Sequence, residues 1–330
     1  MKFLCSIFFL LFFSKAIAQI SGCTDASSKN YNPKATVNDG SCSYTNKKIK
    51  PLFSKPLDSK VEETSGLIYW NNAFLTINDD TDTSIHSIDE TSGKILKSYH
   101  LPKTSNRDWE EISQDSAFLY VGDFGNNVNA NSKKLHILRI EKQSLLLENP
   151  VIDTIHFSYE DQTDFSIMKS NKTNFDGEAF IVSKDSIFIF TKQWKARKTS
   201  VYSLSKVPGK HIAKLKTTFD VNGLITGATY LENQKIIVLS GYSKIQMPFI
   251  YLLYDFKNND FFSGNKRKIE LKLPFRQVEG IAHKKNLEFY LTNEKFIQWP
   301  ILNHRAKLHK IDLSPFLHDY LNRISVNSNQ

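Results

Sequence analysis

The sequence predicts an all-β chain folded as a single β-propeller, with five blades expected and six as the alternative. Three observations carry this. Five segments align under one another, beginning at Ser65, Glu110, Glu178, Thr226 and Glu279, at steps of 45, 68, 48 and 53 residues. A period of about 50 residues built from short strands is the signature of propeller blades. Second, the middle strand of most repeats is a nearly solid apolar run, FLYV, IFIF, IIVL or EFYL, as strands packed on both faces require. Third, helical periodicity is almost confined to HDYLNRISV at 318–326. A β-sandwich accommodates five matched repeats poorly.

At the N-terminus, Lys2 precedes an apolar run from Phe3 to Phe13, and Ala16-Ile17-Ala18 follows before Gln19. That layout predicts a signal peptide over 1–18, cleaved after Ala18 and too short to span a bilayer. Export to a secreted, periplasmic or cell-surface location is the expectation. Ile20-Ser21-Gly22-Cys23 offers a lipoprotein box as the alternative, although Lys15 and Gln19 interrupt the apolar run that such a box normally ends. With Cys5 removed, Cys23 and Cys42 remain, and an even pair in an exported chain predicts a disulfide. The Asn-, Asp-, Ser- and Gly-rich segment between them cannot form a core of its own, so residues 19–45 are read as a small disulfide-clasped module.

The repeats fill 46–315. Third and fourth strands can be drafted as KLHILRI with VIDTIHFSY, TSVYSLSKV with AKLKTTFDV, and PFIYLLYDF with KRKIELKL. The long step of 68 places extra loop in the second repeat, and 130–175 is where a sixth, degenerate blade would lie. The last repeat supplies EGIAHK, EFYLTNE and KLHKIDLS and then runs out. KKIKPLFSK, ahead of the first repeat, is therefore expected to complete the last blade, closing the ring and removing an open sheet edge. Residues 316–330 remain as a C-terminal tail.

In a propeller the innermost strands line the axis, so the head residues Ser65, Glu110, Glu178, Thr226 and Glu279 should form a polar ring. The ends of the second strands should lie near it: Asn78 with Asp79, Asp123 with Asn126, Lys192 after Thr191, and Asn293 with Glu294. Converging carboxylates repel and resist ionisation unless compensated. Lys192 is one compensator; a hard cation such as calcium is another. The plainer reading is that the three glutamates accept backbone N–H bonds and pin adjacent blades.

The remaining features weigh less. GDFGNN (122–127) reads as a tight turn. Asn78-Asp79-Asp80-Thr81-Asp82 lacks the glycine and closing glutamate of a calcium loop. His283 has no repeat partner. Trp109 and Trp194, beside the ring, would either stack on a sugar or fill between blades. No nucleophile elbow, phosphate loop or metalloprotease motif occurs. The formal charge of +9 falls to +7 once Lys2 and Lys15 leave. Its clusters, Lys47-Lys48-Ile49-Lys50 and Lys266-Arg267-Lys268, form no stripe of the kind nucleic-acid proteins carry, so no nucleic-acid partner is expected.

Gly22 to Asp25, Asn30 to Pro33, Ala35 and Asp39 to Cys42 together resemble a short module of secreted Bacteroidetes-type proteins, which implies export but no activity. ETSGLI, DWEEI, GDFGNN, FDGEAF, FTKQW, VNGLITGA and QVEGIA, in this order over about 60–300, resemble secreted or envelope propellers of Bacteroidetes. More distantly, the EGIA-type strand resembles calcium-dependent propellers such as gluconolactonases and phytase-like or esterase-like proteins. That resemblance implies an axial calcium held by Glu279, Glu178, Glu110, Asp123 and Asn293. Ser65 and Thr226 depart from it, and no catalytic acid or base carries over.

The expected function is binding or scaffolding through the axial polar face, with a small molecule, a glycan or an envelope protein as partner. A calcium-dependent hydrolase of lactones, esters or phosphoesters is the first alternative, and a carbohydrate-binding propeller the second.

Overall fold

The computed structural model describes residues 19–327; the expected signal peptide lies outside them. The strands form five four-stranded antiparallel units: Thr64–His100, Trp109–Tyr159, Gly177–Phe219, Leu224–Leu271, and Val278–Asp312 completed by Phe53–Pro56. We call these blades one to five. Their first strands lie side by side in the cyclic order one, two, three, four, five, one. This is a β-propeller. Blades two and three are also joined at their rims, where Ile152–Tyr159 pairs in parallel with Gly209–Phe219. Residues 130–175 supply the two outer strands of blade two, the short helix Lys142–Leu146 and flanking loops.

Solid apolar runs behave as their patterning requires. In blade four, Ile236–Tyr242 and Pro248–Tyr254 are buried throughout, with neighbouring blades on both faces. The outer strand Asn265–Leu271 alternates buried and half-buried positions, as an element with one wet face should. Each blade interface is one apolar cluster, for example Ile181, Phe188, Phe190, Ile237, Leu239 and Phe249 between blades three and four.

The N-terminal segment divides its work. Phe53–Pro56 pairs antiparallel with Lys307–Asp312 and closes blade five. Lys47–Ile49, expected in the same strand, instead pairs in parallel with Ile269–Leu271 as a fifth strand of blade four. Pro51 lacks a backbone N–H and cannot continue a ladder, so the chain turns there from one blade to the next.

A buried histidine marks the closure. His309 is fully buried; its Nδ1 accepts from the Ser54 hydroxyl and its Nε2 donates to Asn293 Oδ1. Burial first, then Arg276 and Lys307, pushes its pKa down to about 3. The unfolded chain takes up a proton near pH 6.5 that the folded chain refuses. Closure stability is therefore intact above that pH and is lost progressively towards pH 3, by on the order of 4 kcal/mol. Urea unfolding of His309→Asn at pH 7 and pH 4 should show a shallower acid loss than the parent; equal slopes would contradict the assignment.

The disulfide joins Cys23 to Cys42, and the module it clasps is docked rather than free. Asp25 accepts from the hydroxyls of Tyr44 and Tyr254, Asn38 bonds Asp255 and Asn265 of blade four, and Arg267 stacks on Tyr44. The C-terminal helix runs Ser314–Asn327, starting earlier than the sequence indicates. Asp312 caps it through Ser314 N, and Leu317 and Tyr320 seat it against blades four and five. No helix among the described residues is long and apolar enough to cross a membrane.

Candidate functional site

Every blade carries a β-bulge at or beside its head residue. In blades two, three and four the unpaired extra residue is Glu110, Glu178 and Thr226 itself; in blades one and five the irregularity lies over Ser65–Ile68 and Val278–Ile281. A bulge re-aims a side chain without ending the strand. Here it gathers buried polar side chains at one mouth of the axis.

Ser65 and Thr226 act as staples between blades. Ser65 Oγ donates to the Glu110 carbonyl, and Thr226 Oγ1 to the Val278 carbonyl, both across a blade boundary. Among the head residues, pinning therefore falls to the hydroxyls, whereas Glu110, Glu178 and Glu279 face one another with other carboxylates. Glu110, Asp176 and Glu178 are buried, with one oxygen from each lying within 4.8 Å of the others. Lys192 Nζ stands 3.0 Å from Glu178 Oε1 and over the rings of Trp194 and Tyr242. Asp176 accepts from Asn126 N and from Trp194 Nε1, both at 2.6 Å. Gly125 lets its backbone close on this group: a Cβ there would meet Asp108 Cγ at 2.2 Å and Glu110 Oε1 at 2.4 Å.

One lysine cannot neutralise this set. Burial, then Glu178, Asp108 and Asp176, pushes Glu110 well above the ordinary carboxylate range. Glu178 is also raised, by burial against the opposing pull of Lys192. Burial brings Glu279 to about 7, and burial with Asp176 and Asp79 brings Asp108 to about 7. Burial alone would lower Lys192, but Glu178, Tyr242, Glu279 and Glu110 outweigh it and keep it charged.

Nearer solvent lies a second trio, Glu63, Asp79 and Glu294, again with donor oxygens within 4.8 Å of one another. Asp79 is pushed to about 6 by burial, Glu63 and Asp80. Burial, then Glu279 and Asp79, raises Glu294 well above its usual value.

Four residues expected at the axis have their side chains committed elsewhere. Asn126, whose backbone N–H holds Asp176, donates its Nδ2 to the Phe175 carbonyl and accepts from Ser132 N at its Oδ1. Asp123 lies past the Gly122/Asp123 register shift, where it faces Arg107 at 3.3 Å and His136 at 3.4 Å. Asn78 donates to the Lys60 carbonyl. Asn293 donates to the Glu294 and Arg305 carbonyls and holds His309. The donor set implied by the calcium-propeller resemblance is thus split: Glu110 and Glu178 meet, while Asp123 and Asn293 serve their own blades. Trp109 is wholly buried with Ile112 and Leu119, and Trp194 is tied to Asp176 beneath Lys192. Trp109 thus fills between blades, while half-buried Trp194 has Lys192 over its ring.

The position after each head residue reads Gly66, Glu111, Ala179, Gly227 and Gly280. Four are small because the first strands touch here; a Cβ on Gly66 would lie 2.5 Å from Ile112 N and 2.6 Å from Glu111 Oε1. Glu111 alone fills the hub. It is fully buried and accepts from Ile112 N, Ala228 N and Leu67 N, tying blades one, two and four. Beyond it the far mouth holds a small cavity of about 150 Å³ lined by Tyr69, Gln114, Thr229 and His283, among others. The sequence reading passed over Glu111, Asp108, Asp176 and Glu63. The lone glutamate in a Gly/Ala column, and the repeated Asp-x-Glu pairs 108/110 and 176/178, were the available signals.

No protein-family model matches the chain, and no curated protein matches it. Among solved structures it is similar to the PQQ-bound aldose sugar dehydrogenase of Streptomyces coelicolor, at 8% identity and a TM-score of 0.46, over 79% of this chain and 97% of that one. It is similar to the WD40 repeats of RRP9, at 11% identity and 0.39, over 78% and 96%. A chain of the mitotic checkpoint complex matches at 10% identity and 0.39, over 79% and 94%. At these identities none of them carries an activity over to this chain.

Proposed function

We propose that the chain is an exported or envelope-associated binding propeller whose axial mouth takes a cationic ligand, calcium being the first ion to test. One observation carries this reading. The outer trio Glu63, Asp79 and Glu294 clusters its oxygens next to solvent, above an inner carboxylate set that already holds its own cation, Lys192. Oxygen donors of this kind suit a hard divalent ion. The inner trio fits an added ion less well, because the Lys192 ammonium stands where that ion would bind. The disulfide supports an oxidising compartment.

Calorimetric titration of calcium into the protein at pH 5 and pH 7.5 tests the reading. Asp79 must release its proton, and Glu63 and Glu294 are also raised, so affinity should rise with pH, by at least about tenfold across the Asp79 pKa near 6. Asp79→Asn and Glu294→Gln should each weaken binding with no loss of fold. Absence of a calcium heat, or an affinity indifferent to both substitutions, would sink it.

A calcium-dependent hydrolase is the second reading, favoured by Glu279 and Asp108 standing near pH 7, the range of a general acid or base. It requires chelator-sensitive turnover of lactone, ester or phosphoester probes that Glu279→Gln abolishes.

A further inference from the structure

Two basic clusters more than 200 residues apart in sequence meet on neighbouring strands. The extra strand Lys47–Ile49 lies beside Asn265–Leu271, with Lys47 opposite Ile269 and Lys48 opposite Glu270. Together with the 243–247 loop they wall a cleft of about 620 Å³, lined by Lys47, Lys48, Lys244, Lys268, Ile245, Met247 and Phe249 among others. This is the size of a small-molecule site.

The cleft carries four lysines and one carboxylate, and that carboxylate is spent: Glu270 pairs with Lys48 at 2.6 Å. Lys47 and Lys244 have no acidic partner among the described residues. Lys268 lies 3.8 Å above the Phe249 ring and donates to the Val221 and Asn222 carbonyls, which leaves a third N–H. Burial pulls it down to about 8, against the weaker upward pull of Glu270 and Asp220; an anion alongside would relieve that penalty. Of the other lining residues Ile245, Met247 and Phe249 are apolar, and Asn46, Asn222 and Ser243 are neutral and polar. Ile245 is 69% exposed, and Met247 is half-buried beside it. The loop that holds both is fixed by Ser243–Met247 bonds and by Phe275 N donating to the Gln246 carbonyl.

We propose that this cleft binds an anionic amphiphile, with its carboxylate or phosphate head among Lys47, Lys244 and Lys268 and its apolar body along Ile245 and Met247. The site is separate from the axial mouth and opposite to it in charge, so either can fail without the other.

The test is calorimetric titration of the whole protein with monomeric dodecanoate, dodecyl phosphate, inorganic phosphate and dodecyltrimethylammonium. Either anionic amphiphile should bind, and the tighter of the two identifies the head. Lys244→Glu, on an exposed loop where folding is not at stake, and Lys268→Gln should each weaken binding by about tenfold or more, the worth of a charge-assisted bond. Equal binding of the cationic amphiphile or of bare phosphate overturns the proposal. So does anionic binding that neither substitution affects.

Discussion

Replacing Lys192 with methionine is expected to destabilise the protein by about 3–5 kcal/mol at pH 8, the usual cost of removing one partner from a buried ion pair. Among the described residues the Lys192 ammonium is the one buried cation paired with Glu178, with Glu110 and Glu279 also acting on it. Methionine preserves bulk over Trp194 and Tyr242 but leaves the carboxylates uncompensated. These carboxylates are held above their ordinary pKa, so the stability they confer is present at acid pH and is lost as pH rises from about 4.5 through about 7. Without Lys192 they move higher still, so the deficit should be small at pH 5 and full at pH 8. Thermal melts at both pH values read this directly. Equal melting of parent and variant at pH 8 would show that Lys192 does not hold the site together.

Glu111→Ala should cost about as much, for a different reason. Leu67, Ile112 and Ala228 would each keep a buried N–H with no acceptor, at about 1–3 kcal/mol apiece. Glu111→Gln should fall between, since one arm can still accept while the other presents N–H to an N–H. Urea midpoints give the energies, and faster amide exchange at Leu67, Ile112 and Ala228 would localise the damage to the hub. A Glu111→Ala protein within about 1 kcal/mol of the parent would mean that the blades are pinned elsewhere, by the Ser65 and Thr226 staples.

The repeat spacing made the ring and its head residues legible. Strands drafted as PFIYLLYDF and KRKIELKL appear as Pro248–Tyr254 and Asn265–Leu271, because solid and alternating apolar patterns report how many faces of a strand are covered. The direction of individual side chains at the axis was not legible. Asp123 and Glu110 both lie beside the mouth, but the bulge leaves Glu110 as the unpaired residue and leaves Asp123 facing Arg107. A one-residue slip in a ladder of period two reverses a side chain, and nothing in the local sequence marks it.

By itself the amino-acid sequence determined the all-β repeat, the Cys23–Cys42 pairing and the stations at which polar residues approach the axis, since each follows from periodicity or from composition within a few tens of residues. Only the tertiary structure decided which carboxylates meet, that Lys192 already neutralises part of them, that Glu111 fills the hub, and that lysines at 47 and 268 share a cleft. Those outcomes depend on contacts between blades distant along the chain. Packing chooses among them, and the local pattern is the same whichever is chosen.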